Sequence, residues 1–414
     1  MMSAQPNMPV DPGVARFLAV LMHQPTDKVP FLGPQSHDHC MTVAKVPANK
    51  YYWDADLLVD VEIAVQRWYG FDTYMAAGDI YNFEVEALGG KMIYSDNAMP
   101  TVDTNNPLIK SHADIDRLGS LDTSKGRIPM AVELGQLLLK KAPGPLSGGF
   151  FCSPFSFLCQ AMSYPKALHA IKRDKVYAQE LFDFAENQAI FPFLKAYADA
   201  GVKAATGADA WSAFPNLTPE LVEEWVIPSA QRLGGRAQKE LGMQAAAGLA
   251  ATDYCEEDVS KFDKAIMFKC WETGMKLMPA FVFGFMGRTQ DWDMNWLQEF
   301  AVSHGPNGLK QTCYVGINGR FIRDSTPDEI VALIRRWMDI LARDGGLLLT
   351  IGNVPADTPP INVHTAVKAV KELGCYPIAK DLSSIKVELP KFKPFDEWLK
   401  DQPEADIIFK AREK

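Results

Sequence analysis

The sequence predicts an α/β fold: a parallel (β/α)8 TIM barrel with an N-terminal extension and an insertion after its second strand. Three observations predict it. Residues 311–374 hold two consecutive units of strand, polar tip and helix. The first has Thr312-Cys313-Tyr314-Val315-Gly316-Ile317 as strand and Asn318-Gly319 as tip; the second has Gly346-Leu347-Leu348-Leu349-Thr350-Ile351 and Gly352-Asn353-Val354-Pro355. Second, Thr326-Pro327-Asp328-Glu329 opens a helix running through Ala342, and Thr358-Pro359-Pro360 opens one running to Leu373. Thr caps free backbone N–H groups, and Pro fits the first helical position, where its missing donor costs nothing. Third, short apolar runs alternate with amphipathic stretches along most of the preceding chain. Such repeats build a barrel whose chemistry sits at the strand tips.

In chain order, residues 1–15 are Pro-rich and aperiodic, a flexible tail ahead of one domain over 16–414. Val29-Pro30-Phe31-Leu32-Gly33 reads as strand one. In the helix over 54–69, Leu57, Leu58, Val61, Ala64 and Val65 share one face, and residues 72–77 form strand two. Residues 90–145 carry little pattern beyond a helix near Ile128–Lys141 and form the insertion. Residues 148–152 are strand three, and Ser153-Pro154 opens the next helix. A long helix over 175–200 stops at Gly201, the residue type preferred where helices end. Strand four spans 202–206, Thr218-Pro219-Glu220 starts a helix, strand five is Gln244–Leu249, a helix covers 258–275, and strand six covers 277–283. Trp292, Met294, Trp296 and Phe300 belong either to a lid or to a helix packed on the barrel.

With 414 residues and 47% apolar content the chain can bury a large core, most simply as one elaborated barrel. A net charge of -9 argues against nucleic acid as a partner, since phosphate binding calls for a basic patch. Seven cysteines with no leader-like segment ahead of them read as reduced thiols of a cytoplasmic protein. No apolar run approaches the ~18 residues of a membrane span, so no membrane association is expected.

Gly70-Phe71-Asp72, Gly78-Asp79-Ile80, Glu86-Ala87-Leu88-Gly89, Ser153-Pro154-Phe155-Ser156, Gly207-Ala208-Asp209, Leu217-Thr218-Pro219-Glu220 and the final Gly352-Asn353-Val354-Pro355 carry a resemblance. In their order and spacing the chain resembles the uroporphyrinogen decarboxylase superfamily, which includes haem-pathway decarboxylases and corrinoid-dependent methyltransferases. True decarboxylases have an Arg-rich run after strand one, where this chain has Gln35-Ser36-His37-Asp38-His39-Cys40. The family's active-site Tyr falls on Gln160, its terminal His on Gly352 or Asn353, and of the decarboxylase set Asp79 alone remains. The His-x-Cys pair and terminal Cys of the zinc methyltransferases are missing too. The resemblance therefore implies a demethylating methyltransferase that passes a methyl group from an ether or amine to the corrinoid of a partner protein. The alternative is a decarboxylase or related lyase acting on a tetrapyrrole or other acidic substrate. Expected partners are the corrinoid protein and the methyl donor, with a homodimer allowed.

A basic atom left by demethylation must be protonated or bound by a Lewis acid. The catalytic candidates are Asp79 after strand two, Asp253 and Tyr254 after strand five, and His37 after strand one. Substrate contacts are assigned to His39, Gln160, Asp209, Asn318, Arg320 and Asn353, the Arg suiting an anionic group. His37, His39 and Cys40 have the atom types for zinc. On a strand the two His side chains would point one way and Cys40 the other, so zinc is left open.

Overall fold

In the computed structural model, which describes residues 11–142 and 147–413, six parallel strands form two three-stranded sheets. A short antiparallel hairpin, β1 (Met92–Ile93) with β2 (Thr101–Val102), stands apart from them. The first parallel sheet joins β3 (Gly149–Cys152), β4 (Ala204–Ala208) and β5 (Gln244–Leu249). The second joins β6 (Val282–Gly284), β7 (Cys313–Ile317) and β8 (Leu347–Ile351). Helices follow the strands, as parallel pairing requires.

The two expected opening strands are extended segments rather than regular ladders. Pro30 has no N–H, so the first pairs with β8 only through Leu32 N to Leu349 O (2.8 Å) and Leu349 N to Pro30 O (3.1 Å). The second is tied to the first by one backbone bond, Asp72 N to Phe31 O (2.8 Å), and by side chains: Asp72 Oδ2 accepts from Phe31 N (2.9 Å) and Thr73 Oγ1 from Gly33 N (3.2 Å). Gly33 has no room for a side chain, since a Cβ there would lie 2.5 Å from the Thr73 carbonyl oxygen. Two further links run between strand tips, from Cys152 N to Glu84 Oε1 (2.8 Å) and from Phe285 N to Asp253 Oδ2 (2.9 Å). All eight segments contribute to one interior cavity of about 370 Å³, through Gly33, Met75, Phe150, Thr206, Ala246, Phe283, Tyr314 and Thr350.

Local chemistry accounts for most helix starts. Asp54 caps Ala55–Tyr69 by accepting from Leu57 N, and the helix ends at Gly70 with φ 85°. Thr326 and Glu329 form a reciprocal capping box ahead of Pro327–Trp337. Pro360–Leu373 starts differently from the expected Thr cap: Pro359 takes the cap position and Thr358 Oγ1 has no partner.

Several other expectations need correction. Asp11 caps a helix over Pro12–Leu21, so residues 11–15 are not tail, while residues 1–10 lie outside the described part. His37–Ala44 is a helix, not a loop or strand. The insertion holds the hairpin and a helix over His112–Leu118, besides the expected Ile128–Lys141. β4 begins two residues late because Val202 completes the turn after Gly201, and β6 begins at Val282 because Leu277 still belongs to the helix Lys264–Leu277. That helix is capped by Asp263, whereas Asp258 caps only a short turn. Trp292, Met294 and Phe300 are buried, so Met294–His304 packs on the core and is no lid. Among the described residues no helix is long and apolar enough to cross a membrane.

Candidate active site

Two cavities meet at Gln35. The outer one, about 160 Å³, lies past the C-terminal ends of the strands and is lined by Gln35, His37, Asp38, Tyr52, Tyr81 and Asn353, among others. The inner one is the 370 Å³ chamber, faced by Phe150, Phe281, Phe283, Phe285 and Tyr314. Among the described residues no Lys or Arg lines either cavity, and no Asp or Glu lines the inner one.

His37 opens its helix just past the first extended segment, which places its ring at the outer cavity. Nδ1 lies 3.0 Å from Glu62 Oε1. Glu62 is fully buried in the apolar helix Ala55–Tyr69, and its oxygens are saturated by donors: Tyr51 OH to Oε1 (2.5 Å) and Gln66 Nε2 to Oε2 (3.0 Å). Gln66 is itself fixed, accepting from Met75 N (3.0 Å) and donating to Met75 O (2.6 Å). A buried carboxylate needs this many partners to remain charged. Burial works against a charge on His37, but the hydrogen bond and charge of Glu62, with Asp38 and Asp79 adding, hold its pKa above the ordinary histidine value. With Nδ1 committed, Nε2 is the ring nitrogen left to meet a ligand. The arrangement favours the protonated form of His37 at the mouth. Asp38 Oδ1 accepts from Tyr52 OH (2.6 Å) and Met99 N (3.0 Å), anchoring the loop beyond β1 at the rim.

The acids at the strand tips are buried, line neither cavity, and are each bonded to protein donors. Asp79 is fully buried; Arg127 Nη2 donates to its Oδ2 (2.6 Å) and Asn82 to its Oδ1. Burial pushes its carboxyl up to about 6 against the pull of Arg127. Asp209 accepts from Ser156 Oγ (2.6 Å) and Ser212 Oγ (2.9 Å), and Asp253 from the N–H groups of Phe285 (2.9 Å) and Met286 (2.6 Å). Burial raises both to about 6 and leaves one oxygen of each without a partner. Glu84, bonded to Cys152 N, is pushed by burial to about 8.

A family model described as uroporphyrinogen decarboxylase (URO-D) matches residues 14–373. The chain belongs to the URO-D family. A solved methyltransferase from Methanosarcina mazei is similar in fold, with a TM-score of 0.64 at 15% identity, covering 86% of this chain and 97% of that one. A B12-independent methionine synthase from Shewanella sp. W3-18-1, solved with selenomethionine, is more distant: TM-score 0.39 at 14% identity, over 77% of this chain and 85% of that one. No curated protein matches the sequence. Membership of the URO-D family implies an enzyme.

Against this URO-D member's predicted site, the structure brings only His37 and Asn353 to the outer cavity. His39 turns inward, its Nε2 2.7 Å from Tyr69 OH, and burial lowers its pKa to about 4. Cys40 packs against Ser36 Oγ (3.1 Å). The three side chains therefore do not converge, and among the described residues no three His, Cys, Asp or Glu side chains could together hold a metal ion. Tyr254 donates to Lys261 O (3.4 Å) and accepts from Asp263 N (3.2 Å), so its hydroxyl ties a loop. Asn318 caps the helix Gly319–Asp324 and donates to Met286 O (3.1 Å) and Gly287 O (2.9 Å). Arg320 is exposed beside Glu257 (3.4 Å), and Gln160 lines neither cavity. The residues missed by sequence reasoning are Glu62, Gln35, Asp38, Tyr52 and Tyr81. Glu62 left one signal, an acid between Val61 and Ile63 on a helix buried nearly all round.

Proposed function

We propose that this enzyme is a methyltransferase moving a methyl group from a small ether or amine to the reduced corrinoid of a separate protein, at the tips of one closed (β/α)8 barrel. The corrinoid would supply a nucleophile for the methyl carbon. The observation that carries this reading is His37, braced by buried Glu62 at the mouth of a chamber lined without ionised side chains. Loss of a methyl cation equivalent leaves a basic oxygen or nitrogen, and a proton held on His37 Nε2 answers that need. The chamber surrounds the donor with mostly apolar side chains, and Gln35, Tyr81 and Asn353 offer hydrogen bonds at the rim. The fold likeness to a solved methyltransferase agrees with the reading.

A substrate with several carboxylates would meet no Lys or Arg among the described residues of either cavity, and Asp79 is bound to Arg127 and Asn82. Both points weigh against tetrapyrrole decarboxylation. The test is methylation of free cob(I)alamin by the purified enzyme with a panel of methyl ethers and methylamines, followed by absorbance. We expect donor-dependent methylcobalamin formation that falls about 10²–10⁴-fold in His37→Gln, the usual worth of a positioned proton donor. Carbon dioxide release from an acidic substrate, with no donor supporting methylation, would overturn the reading.

A further inference from the structure

The interior of a β/α barrel is ordinarily filled by layers of branched side chains and forms no pore. Here it is not filled. The chamber's volume of about 370 Å³ falls within the ~300–1,000 Å³ range of ligand pockets. The cause is visible in β4 and β5, whose sequences Ala204-Ala205-Thr206-Gly207-Ala208 and Gln244-Ala245-Ala246-Ala247-Gly248-Leu249 put Thr206 and Ala246 where a barrel normally places bulky residues. The same chamber carries an aromatic wall. Phe281 and Phe283 meet Tyr314 at 5.4 and 5.3 Å between ring centroids, steeply tilted at 88° and 70°, and Phe283 meets Phe285 at 4.6 Å and 77°. Edge-to-face rings of this kind extend naturally to one more ring. Phe17, from the first helix, also faces the chamber, with Met278, Pro279 and Ala280 from the chain just before β6. The space thus reaches from the mouth at Gln35 down towards the opposite ends of the strands.

We infer that the chamber binds an uncharged, ring-bearing body, the part of the methyl donor that does not react, and that Thr206 and Ala246 set its size. This rests on the methyl-transfer reading for the identity of the ligand, but not for its chemistry. A cation would find aromatic faces but no counter-charge, and an anion would find neither Lys nor Arg among the described residues.

The test needs no turnover. Bromobenzene, benzoate and tetramethylammonium are titrated calorimetrically into the full chain, and bromobenzene is located in crystals by its anomalous signal. We expect bromobenzene in the chamber, bound at least about tenfold more tightly than either ion, a difference of about 1.4 kcal/mol. Ala246→Leu, which fills the space from β5, should weaken it by at least about tenfold at an unchanged or raised melting temperature. Thr206→Leu, from β4, serves should the first variant not fold. The inference is overturned by no binding, by tighter binding of either ion, by a bromine site elsewhere, or by undiminished affinity in a folded variant. Binding as expected without methyl transfer to any acceptor would retain the chamber and discard the methyltransferase.

Discussion

Replacing Asp79 by Asn should damage stability and spare turnover, although position in the chain marks this residue for chemistry. Asp79 and Arg127 are 0% and 4% exposed at the side chain and lie 2.6 Å apart. Removing one member of a buried pair costs ~3–5 kcal/mol, because the other charge is left uncompensated. Arg127 keeps a second partner, Glu86 at 2.7 Å, and lies over the rings of Trp53 and Phe83, so the lower end, about 3 kcal/mol, applies. An unfolding entropy of ~2.1 cal/mol/K per residue over 414 residues is ~0.9 kcal/mol/K, so the melting temperature should fall by roughly 3–4 °C. Scanning calorimetry beside steady-state kinetics reads both quantities. A variant that melts with the wild type while losing more than about tenfold in turnover would show that Asp79 meets the substrate and that the ion pair is incidental.

Three further outcomes are expected. Glu84 holds its proton to about 8 in the folded chain against an ordinary glutamate value of 4.5, so its stabilising contribution is present at low pH and lost as pH rises through 8. Glu84→Gln, whose amide oxygen can still accept from Cys152 N, should therefore flatten the decline of melting temperature with pH; an unchanged profile refutes the assignment. Asp253→Ala should cost about 2–4 kcal/mol by orphaning the N–H groups of Phe285 and Met286, measured by urea denaturation, and a change below about 1 kcal/mol counts against a structural role for that link. Because His37 is proposed as the acid, activity should fall on the alkaline side with a limb above the ordinary histidine value of ~6.5 and move downward in Glu62→Gln. Stoichiometric zinc whose removal abolishes activity and whose return restores it would instead assign the leaving group to a metal.

Legibility from sequence depends on whether the determining partner lies close along the chain. The unit from Cys313 to Ala342 can be read because its apolar run and the Thr326–Glu329 box act within a few residues, although the helix Gly319–Asp324, capped by an Asn318 expected as a substrate contact, is not. The helix His37–Ala44 is hidden because it begins on polar residues and Ser36 makes no side-chain cap. Strand edges are misplaced where an apolar residue, Val202 or Leu277, belongs to the turn or helix before the strand. The acids mislead for a longer-range reason. Asp253 bonds to backbone 32 and 33 residues away, and Asp79 to an arginine 48 residues away, and nothing in a local pattern distinguishes such an acid from one facing substrate. Glu62 leaves only the signal of an acid amid Val and Ile on a buried helix, and two of its three partners lie 11 and 25 residues away.

The links between neighbouring strand ends carry a consequence for how such an enzyme can change. Asp72, Glu84 and Asp253 each hold backbone N–H groups of an adjoining segment, so they behave as rivets, and losing one loosens the frame whatever the reaction. His37, Gln35 and Asn353 sit outside that riveting, on a helix start and two loops. Exchanging Gln35 or Asn353 should cost little in folding free energy, whereas His37 also braces buried Glu62; the mouth is thus a place where new chemistries can be tried on a largely unaltered chassis, while the acids that look most like catalysts are the ones least free to vary.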